Sequence, residues 1–155
     1  QRLFGEDIMP VCSPALLRRA ATPLKKPADL RHHVLLQMDD APAVSPWLDW
    51  DNWLQAMGLE ETAPAGRLEF SHYDHLIAAA IEGQGIALGR FPMMNSYLRQ
   101  KKLVAPFERA GMPGNMPRTT RSFFVLPASG SEARPEVQDF IAWTLQEAGV
   151  ENDPG

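Results

Sequence analysis

Arg67-Leu68-Glu69-Phe70-Ser71-His72-Tyr73-Asp74-His75-Leu76-Ile77-Ala78-Ala79-Ala80-Ile81-Glu82-Gly83-Gln84-Gly85-Ile86-Ala87-Leu88-Gly89 changes its hydrophobic period twice. Arg67 to Ser71 reads as a strand. Tyr73, Leu76, Ile77, Ala80 and Ile81 then recur at helical spacing, and Gly83 supplies the residue that stops a helix. Gly85 to Gly89 is a second short apolar strand. A strand, a helix and a second strand in this order form the unit from which parallel sheets are built.

The same alternation extends outward on both sides. Asp7 to Cys12 reads as a strand, with Pro10 demanding a sheet edge or a strand end there. Ser13-Pro14 combines an N-cap with the residue pre-set for the first helical position, and Leu16, Leu17 and Ala20 follow as an apolar stripe. Lys26-Pro27, Ser45-Pro46 and Phe91-Pro92 repeat the proline at a helix start. Val34 to Gln37 is another strand. Pro46 to Met57 is expected as one helix with Trp47, Trp50, Leu54 and Met57 on a single face, ended by Gly58. Pro92 to Arg99 reads as a helix, and Leu103-Val104 as a short strand. The expected fold class is therefore α/β, a mixed and mostly parallel sheet flanked by helices.

Beyond this region the texture changes. Glu108 to Thr120 contains Gly111, Pro113, Gly114 and Pro117 with almost no periodicity, which marks a linker. Ser122 to Leu126 then reads as a strand. A helix from near Glu132 to Ala148 should carry Val137, Phe140, Ile141, Thr144 and Leu145 on its apolar face. Residues 149–155 read as a tail.

Composition narrows the function. The chain has 155 residues, 45% of them hydrophobic, with 15 Lys and Arg against 19 Asp and Glu for a net charge of −4. That balance argues against a nucleic-acid surface, which needs clustered cations. The longest apolar run, Leu76 to Ile81, is far short of the about 18 residues of a membrane span. One cysteine, Cys12, excludes an internal disulfide and a Cys-rich zinc site. The start at Gln1, without Met or a signal-peptide pattern, reads as a piece of a longer protein.

Chemistry in an open parallel sheet gathers beyond the carboxyl ends of its strands. Three junctions fit that description: Cys12-Ser13-Pro14, Ser71-His72-Tyr73 and Gly89-Arg90-Phe91-Pro92. Each offers free backbone N–H groups and the positive end of a helix, so together they suit a small anion such as a carboxylate. Arg90 adds a possible bidentate contact. The competing reading makes Ser13 and Ser71 simple helix caps and Arg90 a solvated strand-end charge. His72 and His75 share a helix face, but no third ligand accompanies them, so no metal is expected. Cys12 precedes a helix N-terminus, yet no positioned base is evident and a buried packing role is expected. The glycines at 83, 85 and 89 precede and end a strand, unlike a dinucleotide fingerprint. No catalytic pair and no cofactor site emerge.

The run Leu3-Phe4-Gly5-Glu6-Asp7-Ile8-Met9-Pro10-Val11-Cys12-Ser13-Pro14-Ala15-Leu16-Leu17 resembles the segment entering the second effector-binding subdomain of LysR-type transcriptional regulators. Further blocks match in the same order. They are Pro27-Ala28-Asp29-Leu30, the Trp47 to Trp53 region with Gly58, and Gly66 to Ser71, then Ala79 to Arg90, Leu103 to Phe107, and Phe140-Ile141-Ala142-Trp143. Their succession over nearly the whole chain resembles the glycine-cleavage-activator-like branch of the family.

The resemblance implies a periplasmic-binding-protein-like sensor, with an effector cleft between two α/β subdomains and no catalysis. It further implies hinge entry at 1–6, the second subdomain at 7–107, a return linker at 108–121, and at 122–148 a strand and helix of a first subdomain otherwise absent. DNA would be bound only through an absent N-terminal winged helix-turn-helix, in the cytoplasm. Ser13, Ser71, His72, Tyr73, Arg90 and Phe91 are the expected contacts for a small anionic metabolite. Apolar surface left on 122–148 should drive self-association into dimers or larger assemblies. A solute-binding protein of the same architecture and an α/β enzyme using Cys12 or the two histidines are the rival readings.

Overall fold

The structure, a computed structural model, describes residues 1–107 and 120–151. In chain order the elements are β1 (Arg2–Gly5), β2 (Asp7–Val11), α1 (Pro14–Arg19), a 3-10 turn (Pro27–His32), β3 (Val34–Met38), α2 (Ala41–Val44), a second 3-10 turn (Pro46–Leu48) and α3 (Trp50–Ala56). They continue with β4 (Gly66–Phe70), α4 (Tyr73–Ile81), β5 (Ala87–Phe91), α5 (Asn95–Arg99), β6 (Ser122–Phe124) and α6 (Pro135–Glu151). The chain divides into two units, Gln1–Glu6 with Thr119–Gly155, and Asp7–Arg118.

Within Asp7–Arg118, β2 pairs antiparallel with β5, from Asp7 opposite Phe91 to Val11 opposite Ala87. Strand β3 pairs parallel with β4, from Val34 beside Gly66 to Met38 beside Phe70. A single parallel bridge, Leu35 to Ile86, joins the two ladders. The order is thus β2-β5-β3-β4, with three strands parallel and β2 reversed. Pro10 is tolerated because β2 has a ladder on one flank, the other meeting only Val104 at Cys12. Ile8, Val11, Leu35, Leu36, Trp50 and Ile86 are almost wholly buried and form the core.

Two glycines are required where they stand. Gly83 ends α4 at φ +77°, a left-handed conformation that side chains with a Cβ resist. At Gly85 a Cβ would lie 2.7 Å from the carbonyl oxygen of Val34 and 2.8 Å from the side chain of Leu36.

Several expectations are corrected. The strand expected at 85–89 lies at Ala87–Phe91, because pairing with β2 rather than the apolar run sets its ends. The helix expected over 46–57 is broken: Asp49 accepts a hydrogen bond from Asn52 N and caps a new helix at Trp50, leaving Trp47 in the 3-10 turn. The helix expected from Pro92 begins at Asn95, after a turn closed by Met94 N–H to the Arg90 carbonyl and by Asn95 N–H to that of Pro92. Leu103-Val104 makes only the isolated bridge to Cys12.

In the other unit β1, which no local pattern announced, pairs antiparallel with β6, and Phe4 and Phe123 pack 5.0 Å apart. The strand is shorter than the expected 122–126, although Val125 and Gln1 still exchange backbone hydrogen bonds. The Glu6 carboxylate, almost wholly buried, lies 3.4 Å from Arg121. Helix α6 continues to Glu151, so 149–151 are helical rather than tail. Ile141 is buried while Phe140 on the expected apolar face is exposed. Residues 108–119 of the linker expected at 108–121, and the end of the tail at 152–155, lie outside the described residues.

Candidate functional site

Strand direction decides which junctions meet. Strands β3, β4 and β5 run parallel, so Met38, Phe70 and Phe91 share one end of the sheet. Strand β2 runs the other way, which puts Asp7 at that end and Cys12-Ser13 at the far one. Ser71, His72 and Tyr73 follow β4 directly, while Arg90 and Phe91 close β5, so these five lie at the same end. Ser13 does not join them. It is buried at the opposite end, where its Oγ accepts a hydrogen bond from Leu16 N at 3.1 Å and caps α1. The expectation that three junctions line one hollow is therefore corrected to two, because an antiparallel strand presents its carboxyl end on the other side.

A second correction concerns helix ends. Arg90 and Phe91 are part of β5, and α5 starts three residues after Pro92, so Gly89–Pro92 is not a strand-to-helix junction. The helix end available here is that of α4. His72 occupies its N-cap position, Asp74 lies in its first turn, and the side chains of both Ser71 and His72 are exposed. Ser71 Oγ lies 3.1 Å from His72 Nδ1, and the His72 and His75 rings lie 5.2 Å apart.

Tyr73 is half-buried, and its hydroxyl is engaged with the backbone of β5. It donates to the Leu88 carbonyl at 3.0 Å and accepts from the Arg90 N–H at 3.1 Å. The Arg90 guanidinium carbon stands 5.8 Å from the centre of the Tyr73 ring. Spacing in the sequence gave no sign of this arrangement.

At this end of β3 the exposed Asp39 and Asp40 follow the strand, while Gln37 within it is structural. The buried Gln37 side chain donates to Met38 O and Asp49 Oδ1 and accepts from Trp50 N. An adjacent groove of about 320 Å³ is lined by Tyr73, Ile77, Ile81, Met94 and Tyr97, with Asp74 as its charged residue. An apolar groove with an acidic rim does not suit an anion, so the anion reading rests on the strand ends. Among the described residues no three His, Cys, Asp or Glu gather as a metal site. Cys12 is fully buried, and burial pushes its thiol up to about 12, so this thiol is no ready nucleophile.

Residues 1–149 match the LysR substrate binding domain. The chain belongs to this family. It is 33% identical over 99% of its length to the glycine cleavage system transcriptional activator of Escherichia coli strain K12, and 28% identical over 96% to the transcriptional activator AmpR of Pseudomonas aeruginosa. It covers 46% and 45% of those proteins, so the chain spans about half the length of the curated relatives it matches. The effector domain of P. aeruginosa AmpR superposes with a TM-score of 0.67 at 25% identity, over 97% of this chain and 65% of that one. The regulatory domain of CrgA from Neisseria meningitidis gives a TM-score of 0.61 at 16% identity, over 96% of this chain and 68% of that one, a likeness of fold. This LysR-family chain thus has the periplasmic-binding-protein-like α/β fold of LysR effector domains, and its named relatives are transcriptional regulators. No described helix is long and apolar enough to cross a membrane.

Proposed function

We propose that this chain is the effector-sensing part of a LysR-type transcriptional regulator, that its effector is a small anionic metabolite, and that it acts in the cytoplasm without catalysing a reaction. Residues 7–107 are then the second effector-binding subdomain, and 122–148 contribute a strand and a helix to the first. DNA is bound by a helix-turn-helix elsewhere in the regulator. The observation that carries this reading is the gathering of Ser71, His72 and Arg90 at one end of the sheet, beside the N-terminus of α4. There a serine hydroxyl, helix N–H groups and a cation are all matched to a carboxylate. Effector binding shifts the regulator between two states only by as much as its affinities for them differ.

Self-association is part of the proposal. Phe124, Leu126, Phe140 and Trp143 are each more than half exposed, at 59%, 77%, 58% and 56%. Apolar surface of that kind favours a protein partner over water, and sedimentation of the chain across a wide concentration range should reveal dimers or larger species.

A thermal-stabilisation screen of small carboxylates on the full-length regulator tests the effector reading, because a ligand at 100 times its Kd stabilises by about 2.7 kcal/mol. The stabilising compound should lose most of its effect in Ser71→Ala and Arg90→Ala and keep it in Ser13→Ala. Equal binding by all three variants would remove the reading.

A further inference from the structure

The bridge between β3 and β5 is confined to one residue pair. Leu36 N–H donates to the Ile86 carbonyl at 2.8 Å, and Ile86 N–H to that of Val34 at 2.9 Å. Beyond Leu35 and Ile86 no further pair of the two strands is bridged among the described residues. Yet β5 continues for five residues, and in its pairing with β2 the backbone groups of successive residues alternate sides. Ile86, Leu88 and Arg90 therefore present N–H and C=O to the same flank, the one facing β3. Ile86 spends its groups on β3. Leu88 O and Arg90 N receive instead a single side-chain atom, the Tyr73 hydroxyl.

We propose that Tyr73 is the positioning residue of the effector site: its hydroxyl stands in for the missing strand along the site end of β5 and so fixes where Arg90 presents its guanidinium. The inference rests on the effector reading above. Three features converge on it. The hydroxyl is used in both directions, as donor and acceptor, so it fixes two backbone groups two residues apart. The ring that carries it lies 5.8 Å from the guanidinium carbon, within the range where a cation is attracted to an aromatic face. And Tyr73 is the first residue of α4, directly after Ser71 and His72, so one side chain couples the helix start to the strand end. A carboxylate reaching Arg90 would meet a residue whose backbone is already held, with less ordering to be done on binding.

The test uses the full-length protein, with acetate, succinate and glycine as probes. In the wild type, the Arg90 amide should exchange its hydrogen as slowly as the Leu36 amide; a fast Arg90 amide overturns the lock with no variant needed. Tyr73→Phe keeps the ring and removes the hydroxyl. It should speed Arg90 amide exchange at least about tenfold, an opening cost of about 1.4 kcal/mol, while the Leu36 amide stays unchanged. For the probe that binds most tightly, Tyr73→Phe should weaken binding at least about threefold. Adding Tyr73→Phe to Arg90→Ala should cost little more, as expected when one residue acts through the other. Effects of the two substitutions that multiply independently overturn the positioning role even if exchange rises. A wild type that binds none of the three sinks the effector reading for carboxylates, and the exchange comparison then decides the lock on its own.

Discussion

The indole N–H of Trp50 reaches the carbonyl oxygen of Leu36 over 2.9 Å, at the point where β3 and β5 part. Trp50 is fully buried, and its own backbone N–H is held by the Gln37 side chain. The tryptophan thus fills core volume and satisfies a strand carbonyl together. Replacing it by phenylalanine removes the donor, strands a buried acceptor and leaves a void. Trp50→Phe should therefore cost about 2–4 kcal/mol in urea unfolding. Trp143→Phe, at a side chain 56% exposed, should change stability by no more than about 0.5 kcal/mol. Equal costs at the two positions would show that the indole bond is not structural.

Two glycines separate crowding from backbone strain. A Cβ at Gly85 would press on the Val34 carbonyl oxygen, part of a backbone that also accepts from Ile86 and so has little room to give. Gly85→Ala should lower stability by at least about 2 kcal/mol. Gly58 has φ +68° but open space around its Cβ position. Gly58→Ala should then cost only the left-handed conformation, about 1 kcal/mol. Melting temperatures of the two variants should fall in that order.

Where local chemistry decides an element, the sequence is a good guide. The β4–α4 pair, with its helical stripe and its stop at Gly83, follows from apolar spacing and one glycine. Where a distant partner decides, it is not. The ends of β5 depend on β2, and β1 exists because β6, over a hundred residues later, pairs with it. The Trp47–Met57 stripe had helical spacing, but Asp49 starts a fresh helix inside it. The same limit governs the site. Ser71 and Arg90 share a sheet end because their strands are parallel, as strand–helix alternation implies. Ser13 carries an equally good cap signature, but the reversal of β2 that removes it is a tertiary fact. The two backbone bonds of the Tyr73 hydroxyl leave no trace in spacing, since any tyrosine at a helix start looks alike.

His33 should make stability depend on pH. It is buried, and its Nε2 has no hydrogen-bond partner among the described residues. Burial, helped by the neighbouring His32 charge, holds its pKa below the ordinary value, against opposing pulls from the Thr22 carbonyl and Asp29. The unfolded chain then binds more protons than the native one between the depressed native pKa and about 6.5. Stability should accordingly be full above about pH 6.5 and fall as the solution is acidified through that window. Urea unfolding at pH 7.5 and pH 5.5 should show this loss in the wild type and a smaller one in His33→Gln. An unchanged slope in the variant would assign the pH dependence to other groups.

Cys12 should be chemically silent until the protein opens. Its residue surface is wholly covered, and its backbone exchanges hydrogen bonds with Val104, N–H to carbonyl at 3.0 Å and the reverse at 2.8 Å. With burial raising the thiol to about 12, the thiolate is scarce at pH 7.5. Reagents that need the thiolate and a path to it are excluded on both counts. Labelling with a chromogenic disulfide should therefore be negligible in the native protein and rise with urea along the same transition that tryptophan fluorescence reports. Rapid native labelling would mean that the edge formed by Cys12 and Val104 opens locally, and would revive the thiol as a reactive group. Slow labelling that tracks global unfolding makes it a packing residue, for which Cys12→Ala should cost stability without altering effector binding.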